Sequence, residues 1–155
     1  MRRVLVIGYG NPGRGDDGLG PALAAAIAEM HLPDVTVESD YQLTVDHTTQ
    51  IAAHDLVVFA DAAIGLPEPW RLSALAAEPC ETLGSHHLSP SAALYLTRLL
   101  YDKAPPAWVL AIAGTEFDDL REGLCPVAQH NLALAVSSLK DWLARSTDAE
   151  AGPVQ

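Results

Sequence analysis

The stretch VLVIGYGNPGRGDDGLG at residues 4–20 decides the fold. Val4 to Ile7 is a short, wholly apolar run that reads as a strand buried on both faces, and Gly8 ends it. A glycine-rich turn follows. From there Leu19, Ala22, Leu23, Ala26, Ile27 and Met30 recur at helical spacing, the mark of a helix packed on a sheet. Strand, tight turn and sheet-packed helix are the opening unit of an α/β protein.

The alternation continues outward from that unit. Val35 to Glu38 is a second strand, residues 44–53 form a short helix, and DLVVFADA at 55–62 is the clearest buried strand. After the proline-bearing loop GLPEPW at 65–70, Trp70 to Leu75 reads as an edge strand. Ser89 and Pro90 open a helix reaching Tyr101, since serine is a good N-cap and proline suits the first helical position. Ala107 to Ala113 is another apolar strand, and Leu132, Ala135, Val136, Leu139 and Leu143 define a last amphipathic helix. The expectation is one domain over residues 1–145, with 146–155 a frayed tail.

The chain has 155 residues, 49% hydrophobic and 19% charged, the balance of a globular protein with a real core. Its first apolar run is too short to span a bilayer and lacks a signal-peptide cleavage site, so a soluble, cytoplasmic protein is expected. Cys80 and Cys125 fit no CxxC pattern, which points away from a thiolate metal site or a disulfide framework. Twenty acidic against nine basic side chains give a charge of −11, which repels nucleic acid and favours a basic protein surface as partner.

Gly8, Gly10 and Gly13 satisfy the G-x-G-x-x-G spacing of a dinucleotide-binding turn, and Glu38 closes the second strand where a ribose-binding acid belongs. Asp16 and Asp17 oppose that reading: they lie at the start of the next helix, where a pyrophosphate needs free N–H groups and a positive helix end. One of them suffices as a helix cap. The other is free to point into the crevice where open α/β sheets bind ligands.

Asp61 ends the apolar run LVVFA and so emerges at the same carboxyl edge. The polar turn GSHHLSP, with His86 and His87, leaves that edge too, a position from which a histidine can face Asp17 and Asp61. Two carboxylates and an imidazole from three loops make a site for a borderline divalent metal. Imidazole suits nickel or zinc, carboxylates suit magnesium or manganese, and the set does not choose among them. His31, His47, His54 and His130 fall on helices or their ends, away from this edge. There is no HExxH and no GxSxG, and no serine or cysteine stands out as a nucleophile.

Together, VIGYGNPGRGDDGLG, VVFADA, SHHLSP and EGLCP, in that order over residues 4 to about 140, closely resemble the hydrogenase maturation proteases, which process the large subunit of NiFe hydrogenases. The resemblance implies a three-layer α/β/α sandwich around a twisted, mostly parallel sheet of about five strands. It implies an endopeptidase that removes the C-terminal peptide of the large-subunit precursor after nickel insertion and recognises the inserted nickel. Carried over residue by residue, Asp17, Asp61 and His86 are the metal-binding and catalytic side chains, His87 being the variable neighbour in Ser-His-x-Leu-x-Pro. Nickel then arrives mainly with the substrate, and an open three-ligand site makes cleavage conditional on it. Asp46 stands where the family often has Glu, and Cys125 where Ser is frequent. Two further readings remain: a dinucleotide-binding oxidoreductase fragment, and a nickel-dependent docking chaperone without catalysis.

Overall fold

The computed structural model describes residues 2–79, 88–118 and 121–148. Five strands form one sheet: β1 (Val4–Tyr9), β2 (Val35–Asp40), β3 (Leu56–Ile64), β4 (Trp70–Leu75) and β5 (Ala107–Gly114). Their order across the sheet is β2-β1-β3-β5-β4, parallel throughout except for β4, which runs antiparallel to β5 at the edge. Four helices cover the faces: α1 (Leu19–Glu29), α2 (His47–Ala52), α3 (Pro90–Tyr101) and α4 (Pro126–Asp148).

The period-two alternation of strand side chains explains the three layers. Val4 and Val6 of β1, with Leu56, Val58 and Ala60 of β3, meet α1 and α4 through Leu19, Leu23, Ile27, Leu139 and Leu143. Leu5, Ile7, Val57 and Phe59 face the other way, onto Ile51 of α2 and Ala93 and Leu94 of α3. All nine of these β1 and β3 side chains are 0% exposed, so both strands are interior on both faces, as their unbroken apolar runs predict. At α3 the expected cap is present: Ser89 Oγ accepts from the Ala92 amide at 3.1 Å and Pro90 opens the helix.

Several elements overrun the expected bounds: β1 continues through Gly8 to Tyr9 and β2 past Glu38 to Asp40, because the two strands pair as far as Tyr9↔Asp40. β3 continues past Ala62 to Ile64, because β5 keeps pairing with it as far as Ile64↔Gly114. Helix α4 passes Arg145, the expected start of a tail: Ser146 and Thr147 are buried, and their hydroxyls donate to the carbonyls of Trp142 and Leu143. The Arg2 amide also donates to the Thr147 carbonyl, tying the two ends of the domain together. Residues 149–155 of the expected tail lie outside the described residues.

Where β1 meets α1 the backbones nearly touch. Gly8 and Gly20 face each other, and a Cβ on either would collide with carbonyl groups across the contact, those of Tyr9 and Ala60 in the case of Gly20. This seats the start of α1 directly on β1 and β3.

Candidate functional site

From β1 the chain crosses to β2 on one side, then returns over β1 to enter β3 on the other, so the connections diverge between β1 and β3. Open α/β sheets form their ligand crevice at such a point, beyond the carboxyl ends of the strands. β1 and β3 pair only as far as Gly8↔Ala60. The next residue on each strand, Tyr9 and Asp61, therefore stands at the mouth of the crevice.

Asp17 reaches the same place from the turn after β1. A cleft lined by Tyr9, Gly10, Asn11, Arg14, Asp17, Tyr41, Gln42, Leu43, Asp61 and Leu88 holds both carboxylates. Burial pushes the Asp61 carboxyl up from 3.8 to about 6. The Tyr9 hydroxyl and the Ala62 amide, both donating to it, pull it down, and the negative charge of Asp17 adds to the rise. Tyr9 responds in turn: burial, the Asp61 charge and the shared hydrogen bond hold its hydroxyl protonated far above the ordinary tyrosine range.

The Asp-Asp pair divides its work differently from a cap and a ligand. Residues Gly15–Gly18 form a single 3-10 turn before α1, and neither that turn nor α1 has a side-chain cap. Asp16 turns inward and is 0% exposed. Its Oδ2 accepts from the amides of Thr115 and Glu116, both at 2.8 Å, and from Cys125 Sγ at 3.0 Å, while Oδ1 accepts from the Cys125 amide at 2.9 Å. Burial alone would raise this carboxyl, but these donors, led by Cys125, hold it below its ordinary value. Asp17 is half-buried, facing the cleft, with Oδ2 accepting the Asn11 amide at 2.8 Å. The sequence order of the two acids therefore translates into one anchored inward and one presented outward.

His86 and His87 lie outside the described residues, as does Cys80; Leu88, which immediately follows the histidine pair, lines the cleft. Among the described residues no three His, Cys, Asp or Glu side chains gather as a metal-binding group. Tyr9, Thr115, Glu116 and Cys125 are partners of the acids that the sequence does not announce. Tyr9 was legible only with knowledge that β1 and β3 are adjacent, since it is one register step beyond the Gly8↔Ala60 pair. Cys125 and Thr115 are about 100 residues from Asp16 and no local pattern links them.

The glycine-rich turn is not a phosphate cradle. The Gly10 amide donates to the Asp40 carbonyl, Asn11 to Asp17, Gly13 to Asn11 Oδ1, Arg14 to the Asn11 carbonyl, Gly15 to Arg121, Asp16 to Glu116 and Asp17 to Arg14. Pro12 has no amide hydrogen. Every N–H from residue 10 to residue 17 is thus engaged within the protein, leaving none to receive a pyrophosphate.

No family model and no curated protein matches this chain. Solved structures do match over nearly all of it. The NiFe hydrogenase maturation protease HycI from Thermococcus kodakarensis is 22% identical, with 90% of each chain covered and a TM-score of 0.68. For the hydrogenase maturating endopeptidase HYBD from E. coli the values are 18%, 93% of each chain and 0.71. The hydrogenase 2 maturation peptidase from a Thaumarchaeota archaeon is 22% identical, covering 92% of this chain and 98% of that one, with a TM-score of 0.67. At these identities the likeness shows a shared fold: a mostly parallel five-stranded sheet between two helical layers.

Proposed function

We propose that this chain is an endopeptidase of hydrogenase maturation, trimming the C-terminal peptide from a NiFe-hydrogenase large-subunit precursor after nickel insertion. The observation that carries the reading is the convergence of Asp17 and Asp61 in one cleft at the β1/β3 divergence, near enough for the charge of one to act on the other. The shared fold and the expected arrival of His86 on the loop before Leu88 support it.

The donor chemistry fits a divalent ion. Two carboxylates that repel each other in a half-buried cleft gain from a dication between them, and an imidazole from His86 would shift the preference from hard ions toward nickel. Nickel held by Asp17, Asp61 and His86 would act as a Lewis acid on the bound partner; it is carried in by the substrate. The residues of this chain supply orientation and proton handling. Tyr9 fixes the Asp61 carboxylate by donating to it, and the Asn11 amide fixes Asp17. Asp61, ionised near neutrality but with a carboxyl raised to about 6, is a base poised to take a proton from an attacking water and return it to the leaving amine.

The engaged amides of residues 10–17 weigh against a dinucleotide-binding oxidoreductase. A docking chaperone would share the ligands but leave its partner's length unchanged. No helix among the described residues is long and apolar enough to cross a membrane. The test is incubation with a nickel-loaded precursor and mass spectrometry of the large subunit. Loss of a C-terminal peptide is expected; a precursor bound yet uncut would favour the chaperone. His86→Ala should abolish cleavage while His87→Ala leaves most of it, and the opposite ranking would exchange their roles.

A further inference from the structure

The segments on either side of the 3-10 turn and the loop between β5 and α4 are joined more heavily than packing requires. The Gly15 amide donates to the Arg121 carbonyl at 2.6 Å, Asp16 to Glu116 at 2.7 Å, and Arg121 returns a bond to the Gly13 carbonyl at 2.9 Å. Gly15 has φ of +61°, and a Cβ there would strike the Glu116 carbonyl, so the two backbones approach as closely as glycine permits. At the centre sits the Asp16 carboxylate with its four donors, no solvent contact, and no oxygen directed to the cleft.

We infer that Asp16 is a positioning residue: by clamping the turn to the β5–α4 loop it sets where the carboxylate of its neighbour Asp17 stands relative to Asp61. A carboxylate is suited to this, because four donors converge on it and an amide side chain would present two hydrogens to them. The thiol of Cys125 is one of the four and completes the clamp. Helix-cap loss would leave Asp17 where it is; loss of this clamp frees the turn that carries it. Groups hydrogen-bonded to a metal ligand typically change metal affinity by ~10- to 100-fold, and Asp16, which acts on Asp17 through the turn, belongs at the lower end of that range.

The inference rests on reading Asp17 as a functional carboxylate, and its first readout needs neither metal nor precursor. The Asn11 amide, which donates to Asp17 Oδ2, reports the position of that carboxylate. Native-state hydrogen exchange in the whole protein, taken as the ratio of Asn11 to Val6 protection, separates a local shift of the turn from global loosening. Asp16→Asn should lower the ratio by about tenfold, weaken nickel binding measured by calorimetry by about tenfold, and reduce kcat on the precursor with KM little changed. Cys125→Ala, which removes one donor and retains three amides, keeps the test open should Asp16→Asn fail to fold; it should show an intermediate loss, and Cys125→Ser should restore the wild-type ratio. A fall in melting temperature with unchanged Asn11 protection and nickel affinity would overturn the inference, making Asp16 a stabiliser and nothing more. A wild-type protein that cuts no precursor would sink the proposed function while leaving the exchange result to decide this one.

Discussion

The Tyr9 hydroxyl donates to the Asp61 carboxylate across the point where β1 and β3 part. It supports the group proposed as base and opposes the effect of burial. Tyr9→Phe should therefore push the Asp61 carboxyl above its present value of about 6. Carboxyl-carbon NMR titration of Asp61 measures this directly, and the pH at half-maximal precursor cleavage should move upward with it. An unchanged or lowered titration midpoint would mean that the bond does not stabilise the ionised form.

Asp61 also gives the fold a pH dependence of definite sign. Its carboxyl stands at about 6 in the folded chain against an ordinary 3.8, so within that window the folded state holds a proton that the unfolded state has released. The group's stabilising contribution is complete below the lower value and fades as pH rises through the upper one. Asp61→Asn cannot ionise, so its melting temperature should gain on that of the wild type between about pH 4 and pH 6 and then run parallel. Parallel curves over the whole range would show that Asp61 titrates normally.

Asp17→Asn retains an oxygen to accept from Asn11, so the turn should survive. The cost should stay well under the ~1 kcal/mol net worth of one hydrogen bond. The negative charge required by a dication is gone, however. The variant should melt within a degree or two of the wild type, by the usual conversion for a protein of this size, yet leave a nickel-loaded precursor uncut. Full cleavage by this variant would remove Asp17 from the site.

Gly20→Ala is expected to be destructive although alanine is the better helix former. The added methyl would stand 2.7 Å from the Ala60 carbonyl oxygen and nearer still to that of Tyr9. Relief requires α1 to lift from β1 and β3, at a cost of about 1–3 kcal/mol, the usual range for overpacking. Thermal denaturation should show a loss of several degrees, and precursor cleavage should fall as the crevice widens.

Much of this was legible because the central strands are interior on both faces and therefore written as unbroken apolar runs. Val4–Ile7 and Leu56–Ala60 declare themselves in this way, and Ser89-Pro90 marks the start of α3 equally plainly. The boundaries that escaped have tertiary causes. Asp61 interrupts the apolar run of β3, whose last residues persist only through pairing with β5. Ser146 and Thr147 are modest helix formers kept in α4 by burial and by the Arg2 amide, with their hydroxyls satisfied by the carbonyls of Trp142 and Leu143. The presence of an acidic pair at the crevice could be read from the residues; which acid faces inward is decided by Thr115, Glu116 and Cys125, remote in sequence, so local pattern left it open and only the family resemblance named Asp17 as the outward one.

The contact between Gly8 and Gly20 has a bearing on how such a protein tolerates change. Because bare main chain sets the spacing there, the height of the turn that carries Asp17 above β3 is gauged by peptide groups and is insensitive to which aliphatic side chains fill the layers on either side. The interior can be rebuilt residue by residue, within its volume, while the crevice keeps its dimensions. A pair of missing methyl groups thus uncouples the composition of the core from the calibration of the site.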